Sequence, residues 1–218
     1  PGPGEARLDV SGTAVVTTAD GERRTVRDGR TDVGPGDRVE VTAGTTRFEM
    51  ADGIRLEGLG GTDGRPSTTV TMAVAPRLDT GPLLAVAPDP LEVRVGDHRV
   101  AVAATGDTAG AVRLDRRIGL GVGSYAGAVT VTSAGRTAEV APYRRIEVAA
   151  PGALGPALVL DLADVGAGRE IALRPAEQHG AAARIGGSAG ERGGEQAQQL
   201  GIEGIAGSRA VEGQPQPA

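Results

Sequence analysis

Arg47-Phe48-Glu49-Met50-Ala51-Asp52-Gly53-Ile54-Arg55-Leu56-Glu57 places apolar and charged residues in alternation on both sides of one Asp-Gly pair. Successive side chains of a strand point to opposite faces of its sheet, so each run has a dry face and a wet face. Asp-Gly favours the primed turns whose twist matches that of paired strands. The stretch therefore reads as two strands and a turn, with Phe48, Met50, Ile54 and Leu56 inward.

The same period repeats outward in both directions. Val39 and Val41 alternate with Arg38, Glu40 and Thr42, and Leu91, Val93 and Val95 with Glu92 and Arg94. Val100 and Val102 follow Arg99, and Val112 and Leu114 flank Arg113. Ile118, Leu120 and Val122 alternate with glycine, Val129 and Val131 with threonine, and Ile146 and Val148 with Arg145 and Glu147. Further turns are expected at Asp20-Gly21, Asp28-Gly29, Asp63-Gly64 and Ser133-Ala134-Gly135. Strands at roughly 8–12-residue spacing, with no sustained helical period before residue 150, predict an all-β fold. Its strands are expected to be mainly antiparallel, in a sandwich or short β-roll with a core of Val, Leu, Ile and Ala.

Breaker-rich segments divide the chain. Residues 8–60 form a first β half, 61–90 a loop-rich connection with one or two strands, and 91–165 a second β half. From 166 to 218 the composition turns to Gly, Ala, Gln and Glu, and a disordered tail is expected because too little apolar surface is available to offset ordering entropy. Gly12–Thr18 leading to Arg38–Val41 is echoed by Gly127–Ser133 leading to Arg145–Val148, which reads equally as duplication or as shared β chemistry.

Composition excludes several chemistries. The 218 residues hold no Cys, and all 23 basic residues are Arg. Disulfides, thiolate metal sites and a thiol nucleophile are thus ruled out, as are a phosphate-loop lysine, a Schiff base and a Ser–Lys dyad. A net charge of −5 and only three aromatic residues (Phe48, Tyr125, Tyr143) disfavour nucleic acid as a partner. The absence of Lys and Asn beside abundant Ala, Gly, Arg and Val is the codon signature of a GC-rich genome. The longest uncharged run, Ile118–Gly135, alternates in polarity and carries several glycines, so it reads as strands and a turn rather than a membrane span. The first residue is Pro1, as in a fragment or processed form, and an anchor upstream is compatible with the sequence.

No catalytic set emerges. Gly119-Leu120-Gly121-Val122-Gly123 imitates a phosphate loop, but strand rather than helix follows it, so a close-packed strand is expected. Ser124 lacks the glycines of a nucleophile elbow. His98 should be solvated on a strand or in its turn, and His179 lies far away in sequence. Asp161 and Asp164 read as a turn or helix start rather than a paired acid and base. No catalytic, metal or cofactor site is therefore expected. The basic pairs Arg116-Arg117 and Arg144-Arg145 are the candidate partner-binding residues, suited to an anionic ligand or acidic partner surface. Interleaved acids make a solvated face the competing reading. Tyr125 and Tyr143 are expected in core or edge positions.

Three elements of the chain resemble the FecR-like extracytoplasmic β domain: Gly12-Thr13-Ala14-Val15, Gly36-Asp37-Arg38-Val39, and Phe48 through Asp52-Gly53 to Leu56. Leu91–Val95 and Gly127-Ala128-Val129-Thr130-Val131 are similar to that family's second half, so the likeness covers about residues 10–150. The family's Gly-Thr-x-Phe segment would fall near Ala104-Thr105-Gly106, where no Phe follows. The cytoplasmic anti-sigma segment and membrane helix of full-length regulators are not in this sequence. The resemblance implies a non-catalytic sensing or protein-interaction module of a bacterial cell envelope, extracytoplasmic or anchored at the cell surface, with a protein partner, as in anti-sigma-type signalling. A structural or wall-associated spacer is the second expectation, and a hydrolase ranks last.

Overall fold

The computed structural model describes residues 1–62 and 67–160. The 166–218 segment, the end of the 91–165 half and the Asp63-Gly64 pair lie outside the described residues. Within them the chain is all-β. Its strands are β1 (Ala6–Thr17), β2 (Arg23–Val33), β3 (Arg38–Glu49), β4 (Arg55–Leu59), β5 (Thr69–Thr71), β6 (Arg77–Ala87) and β7 (Leu91–Val95). They continue with β8 (His98–Ala103), β9 (Gly110–Arg116), β10 (Leu120–Ala126), β11 (Ala128–Ser133), β12 (Arg136–Val140), β13 (Arg144–Val148) and β14 (Leu158–Val159). One short 3-10 turn, Ala51–Gly53, joins β3 to β4 around Asp52-Gly53 as expected. The pairings are antiparallel apart from a single parallel bridge, Arg77 with Arg94, between β6 and β7.

β1, β3, β4, β6, β9, β10 and β13 run side by side. Register lines up their inward side chains in rows. One row passes from Leu8 through Phe48, Leu56, Ala85 and Val112 to Ser124. The next runs from Val10 through Thr46, Gly58, Leu83, Leu114 and Val122 to Ile146. Leu8, Phe48, Leu56, Leu83 and Leu114 are fully buried, each contributing about 1.5–3 kcal/mol by leaving water. The alternation of sequence thus becomes one dry face running through both halves of the chain.

Two devices cover that face. In the first half the sheet bends over itself. β3 pairs with β4 through residues 45–49 and with β5 through 38–40, and β6 divides likewise between the two. The bend crosses β1 and β3 at Gly12 opposite Gly44, both at positive φ (116° and 71°). A Cβ on either would strike the other strand's backbone. β2 bends alongside at Asp28, whose Oδ1 accepts the Gly12 N–H at 2.8 Å. The Asp28-Gly29 pair, expected to turn a hairpin, therefore kinks the middle of a strand, and the hairpin turn falls at Asp20-Gly21. The bend is sharp. Arg24 Nη2 donates to the Asp32 carbonyl at 2.8 Å, although eight residues of straight strand would span roughly 26 Å.

In the second half a separate layer supplies the cover. β7, β8, β11 and β12 pair in that order and pack against β9, β10 and β13, joining Val93, Val95, Val100, Val102, Val129 and Val131 to the same core. The molecule combines a short roll with a sandwich about β6. Three details differ from the sequence reading. Ile118 lies in the β9–β10 turn and is fully exposed, because alternation begins only at Leu120. The sequence echo is not an echo of topology: β1 lies between β2 and β3, whereas β11 lies between β12 and β8, and β13 pairs with β10. Shared β chemistry accounts for it. Tyr125 is buried, whereas Tyr143 stays 45% exposed.

Candidate functional site

The wet face of the shared sheet carries its own rows. One passes from Glu57 through Leu84, Arg113, Gly123 and Arg145 to Leu158. The next passes from Pro82 through Asp115 and Gly121 to Glu147. β10 contributes only hydrogen atoms to these rows at 121 and 123, so it forms the floor of a trough whose walls are charged side chains of β9 and β13. The trough has a volume of about 500 Å³, with Arg113, Arg117, Arg145 and Leu160 among its lining residues.

Ion pairs along each wall hold the charges. Arg117 Nε lies 3.2 Å from Asp115 Oδ1, and Arg145 pairs with Glu147. All four side chains are at least 30% exposed, so such pairs orient the groups more than they stabilise the fold. Leu160 closes one end. Its N–H donates to the Tyr143 carbonyl at 3.0 Å, and Tyr143, at φ 61°, donates its own N–H to Ser124 O at 2.7 Å. The Leu160 side chain then reaches Gly123 and joins Val86, Ala111 and Tyr125 in a small apolar cluster on this face.

The glycines have different reasons to be there. At Gly123 a Cβ would press on Leu160 at 3.0 Å. At Gly121 it would meet only the Glu147 carboxylate, at an ordinary 3.4 Å, and the backbone is not left-handed. Glycine inside a strand costs roughly 0.5–1 kcal/mol relative to Ala, and among the described residues nothing requires it at 121. Its effect is an open floor. Residues 120–123 are strand, as expected, but the expected close approach of another backbone occurs only at Gly119, where a Cβ would lie 2.8 Å from the Val148 carbonyl, and not at Gly121.

Each arginine pair is divided by strand alternation. Arg117 and Arg145 line the trough. Arg116 lies on the opposite face, across the β7–β8 turn, where a Cβ at Gly96 would come within 2.5 Å of its Nη1. Arg144 is exposed on the other side of β13, opposite Val159. Arg113, a single arginine in an alternating run, escaped the sequence analysis. Only the register across three strands reveals that it faces Arg145 over Gly123.

His98 is not a purely solvated side chain. It is half-buried at the start of β8, with Nδ1 2.9 Å from Ser133 Oγ. That buried hydroxyl also accepts the Gly152 N–H at 2.8 Å, so it fastens the loop after β13 to the second layer. Among the described residues no group of three or more His, Cys, Asp or Glu could hold a metal ion. No helix there is long and apolar enough to cross a membrane, which leaves strand-built membrane crossing unaddressed. Asp161, Asp164 and His179 lie outside the described residues.

The fold and trough together define an all-β protein with an arginine-bearing wet face. Compared with protein-family models, curated proteins and solved structures, the chain matches none of them.

Proposed function

We propose that this chain is a non-catalytic, FecR-like sensing or interaction module of the cell envelope that receives a protein partner through sheet edges and arginine-bearing faces. The observation that carries the proposal is β2. Among the described residues it ends the sheet order and pairs only with β1, leaving an edge of 11 residues in two arms that meet at the Asp28 kink. Nearly all of its residues are exposed or half-exposed, and Arg23, Arg24, Arg27 and Arg30 project from it. Proteins usually keep edges short or cover them, because a bare edge templates strand addition. A long edge studded with charge discourages self-pairing while remaining open to a complementary chain. The FecR-like resemblance supplies the envelope setting and the signalling role.

The test is site-specific photocrosslinking in cells that express the protein naturally. A photoreactive residue at position 27 is expected to give one discrete heterologous adduct in the envelope fraction, and the same residue at the exposed position 99 none. A cytosolic protein, or the same adducts from both positions, contradicts the proposal.

A further inference from the structure

We propose that the outer face running from β2 to β12 is a docking line for a linear acidic polysaccharide with one carboxylate per disaccharide. Strand register sets out the line. It starts on β2 with Arg23 and passes Thr17 of β1, Arg38 of β3 and Thr71 of β5 to Arg77 of β6. It goes on through Arg94 of β7 and Arg99 of β8 to Thr132 and Thr137. The residues beside them along the strands, Val16, Val39, Val70, Leu78, Val93 and Val100 among them, are fully buried, so the row lies on the outward side. Nine positions on nine strands hold five arginines, four threonines and no acid.

Spacing and charge select the ligand. Neighbouring strands lie about 4.8 Å apart, so Arg23, Arg38, Arg77 and Arg99, on every second strand, recur at about 9–10 Å, which is also about the length of one extended disaccharide. A bound peptide strand repeats its same-face side chains at about 6–7 Å, and a nucleic-acid strand its phosphates at about 3.4 Å along the axis, so neither keeps step with the arginines. The groups between them are neutral or neutralised: Thr17 and Thr71 are hydroxyls, and Arg94 is paired with Glu92 at 3.5 Å. Arg23 and Arg99 are exposed and have no hydrogen-bond or ion-pair partner among the described residues. Arg38 and Arg77 share the one carboxylate of Asp79, at 3.8 and 2.7 Å, and both stay 54% exposed. Five arginines thus meet two paired acids, an excess of three positive charges along the line on a chain of net charge −5. A guanidinium grips a carboxylate in bidentate fashion. Glu40 flanks the row on one side and Glu92 and Glu139 on the other, so a single file of negative charge fits and a broad anionic surface does not.

Fluorescence anisotropy on the full chain tests this with an end-labelled octasaccharide that alternates glucuronate with N-acetylglucosamine, and with its carboxyl-reduced form. The charged probe is expected to bind at least about 10-fold more tightly than the reduced one, and its affinity should fall as salt is added. Arg23→Gln and Arg99→Gln, at the two ends of the arginine line, should each weaken it about 3-fold and together about 10-fold. Both side chains are exposed, so the melting temperature should stay within about 2 °C. Arg47→Gln makes the same charge change on the opposite outer face, between Asp9 and Glu57, and should leave the affinity unchanged. A labelled tetraglutamate with capped ends carries as many carboxylates at closer spacing and should bind about 10-fold more weakly. Equal affinity for the charged and reduced octasaccharides, tetraglutamate binding as tightly as the octasaccharide, or an equal loss in Arg47→Gln overturns the proposal. No binding of the charged octasaccharide overturns it as well. The photocrosslinking experiment reads a discrete protein adduct at β2, whereas this one reads a glycan, so the two proposals fail separately.

Discussion

The two halves of this protein bury the same sheet face by different means. In the first, β1 and β3 turn back over themselves at Gly12 and Gly44, so a single sheet is its own second layer. In the second, β7, β8, β11 and β12 form a separate layer over β9, β10 and β13. The roll needs backbone freedom at a few positions and tolerates no side chain there. The sandwich also needs bare backbone, at Gly110 and Gly127 where a Cβ would strike the end of β8, yet one of its glycines has room for a side chain. Gly121 is the case in point: a glycine that the fold does not demand, at the floor of a charged trough.

The largest expected effect breaks the shared core. Phe48, the only Phe of the chain, is fully buried in the row linking β1 to β10. Phe48→Ala should cost about 3–5 kcal/mol and lower the melting temperature by roughly 6–20 °C in a single transition by circular dichroism. Two separated transitions would show that the halves unfold independently.

A pair of glycine substitutions sharpens the contrast next. Gly44→Ala forces a left-handed position and drives a Cβ into the Ser11 carbonyl, so a loss of about 1–3 kcal/mol or more is expected in urea denaturation. Gly121→Ala adds a methyl where it fits and restricts the unfolded chain, so a gain of about 0.4–1 kcal/mol is expected. Equal losses at the two sites would remove the distinction between them. Ser133→Ala deprives His98 and the Gly152 N–H of their partner, and should cost about 1–3 kcal/mol, with faster hydrogen exchange at Gly152. The smallest effect is expected at Thr46, whose buried hydroxyl makes no hydrogen bond. Thr46→Val keeps the shape and removes that burden, so it should be neutral or stabilising by about 1 kcal/mol.

What the sequence made legible follows from where its information is local. Alternation at Phe48–Glu57 and Leu91–Val95 is a property of adjacent residues, and it yielded the all-β class and the inward faces directly. Asp28-Gly29 misled because an Asp-Gly pair specifies a local backbone bend without specifying whether the chain reverses there. Asp28 is instead tied to Gly12, 16 residues away. The trough was half-legible. Arg117 and Arg145 were picked out as members of basic pairs, but adjacent residues in a strand face apart, so Arg116 and Arg144 lie elsewhere. Arg113 and the His98–Ser133 contact depend on register between strands distant in sequence, for which no local pattern exists.

β6 pairs with β4 and β5 on one side and with β9 on the other, making roll and sandwich one body. Native-state hydrogen exchange on Leu83→Ala, a fully buried β6 position, tests this most directly. Slowly exchanging amides of β3 and of β10 should lose the same protection, about 2–5 kcal/mol each. Protection lost in β3 while β10 keeps its wild-type value, or the reverse, would contradict it.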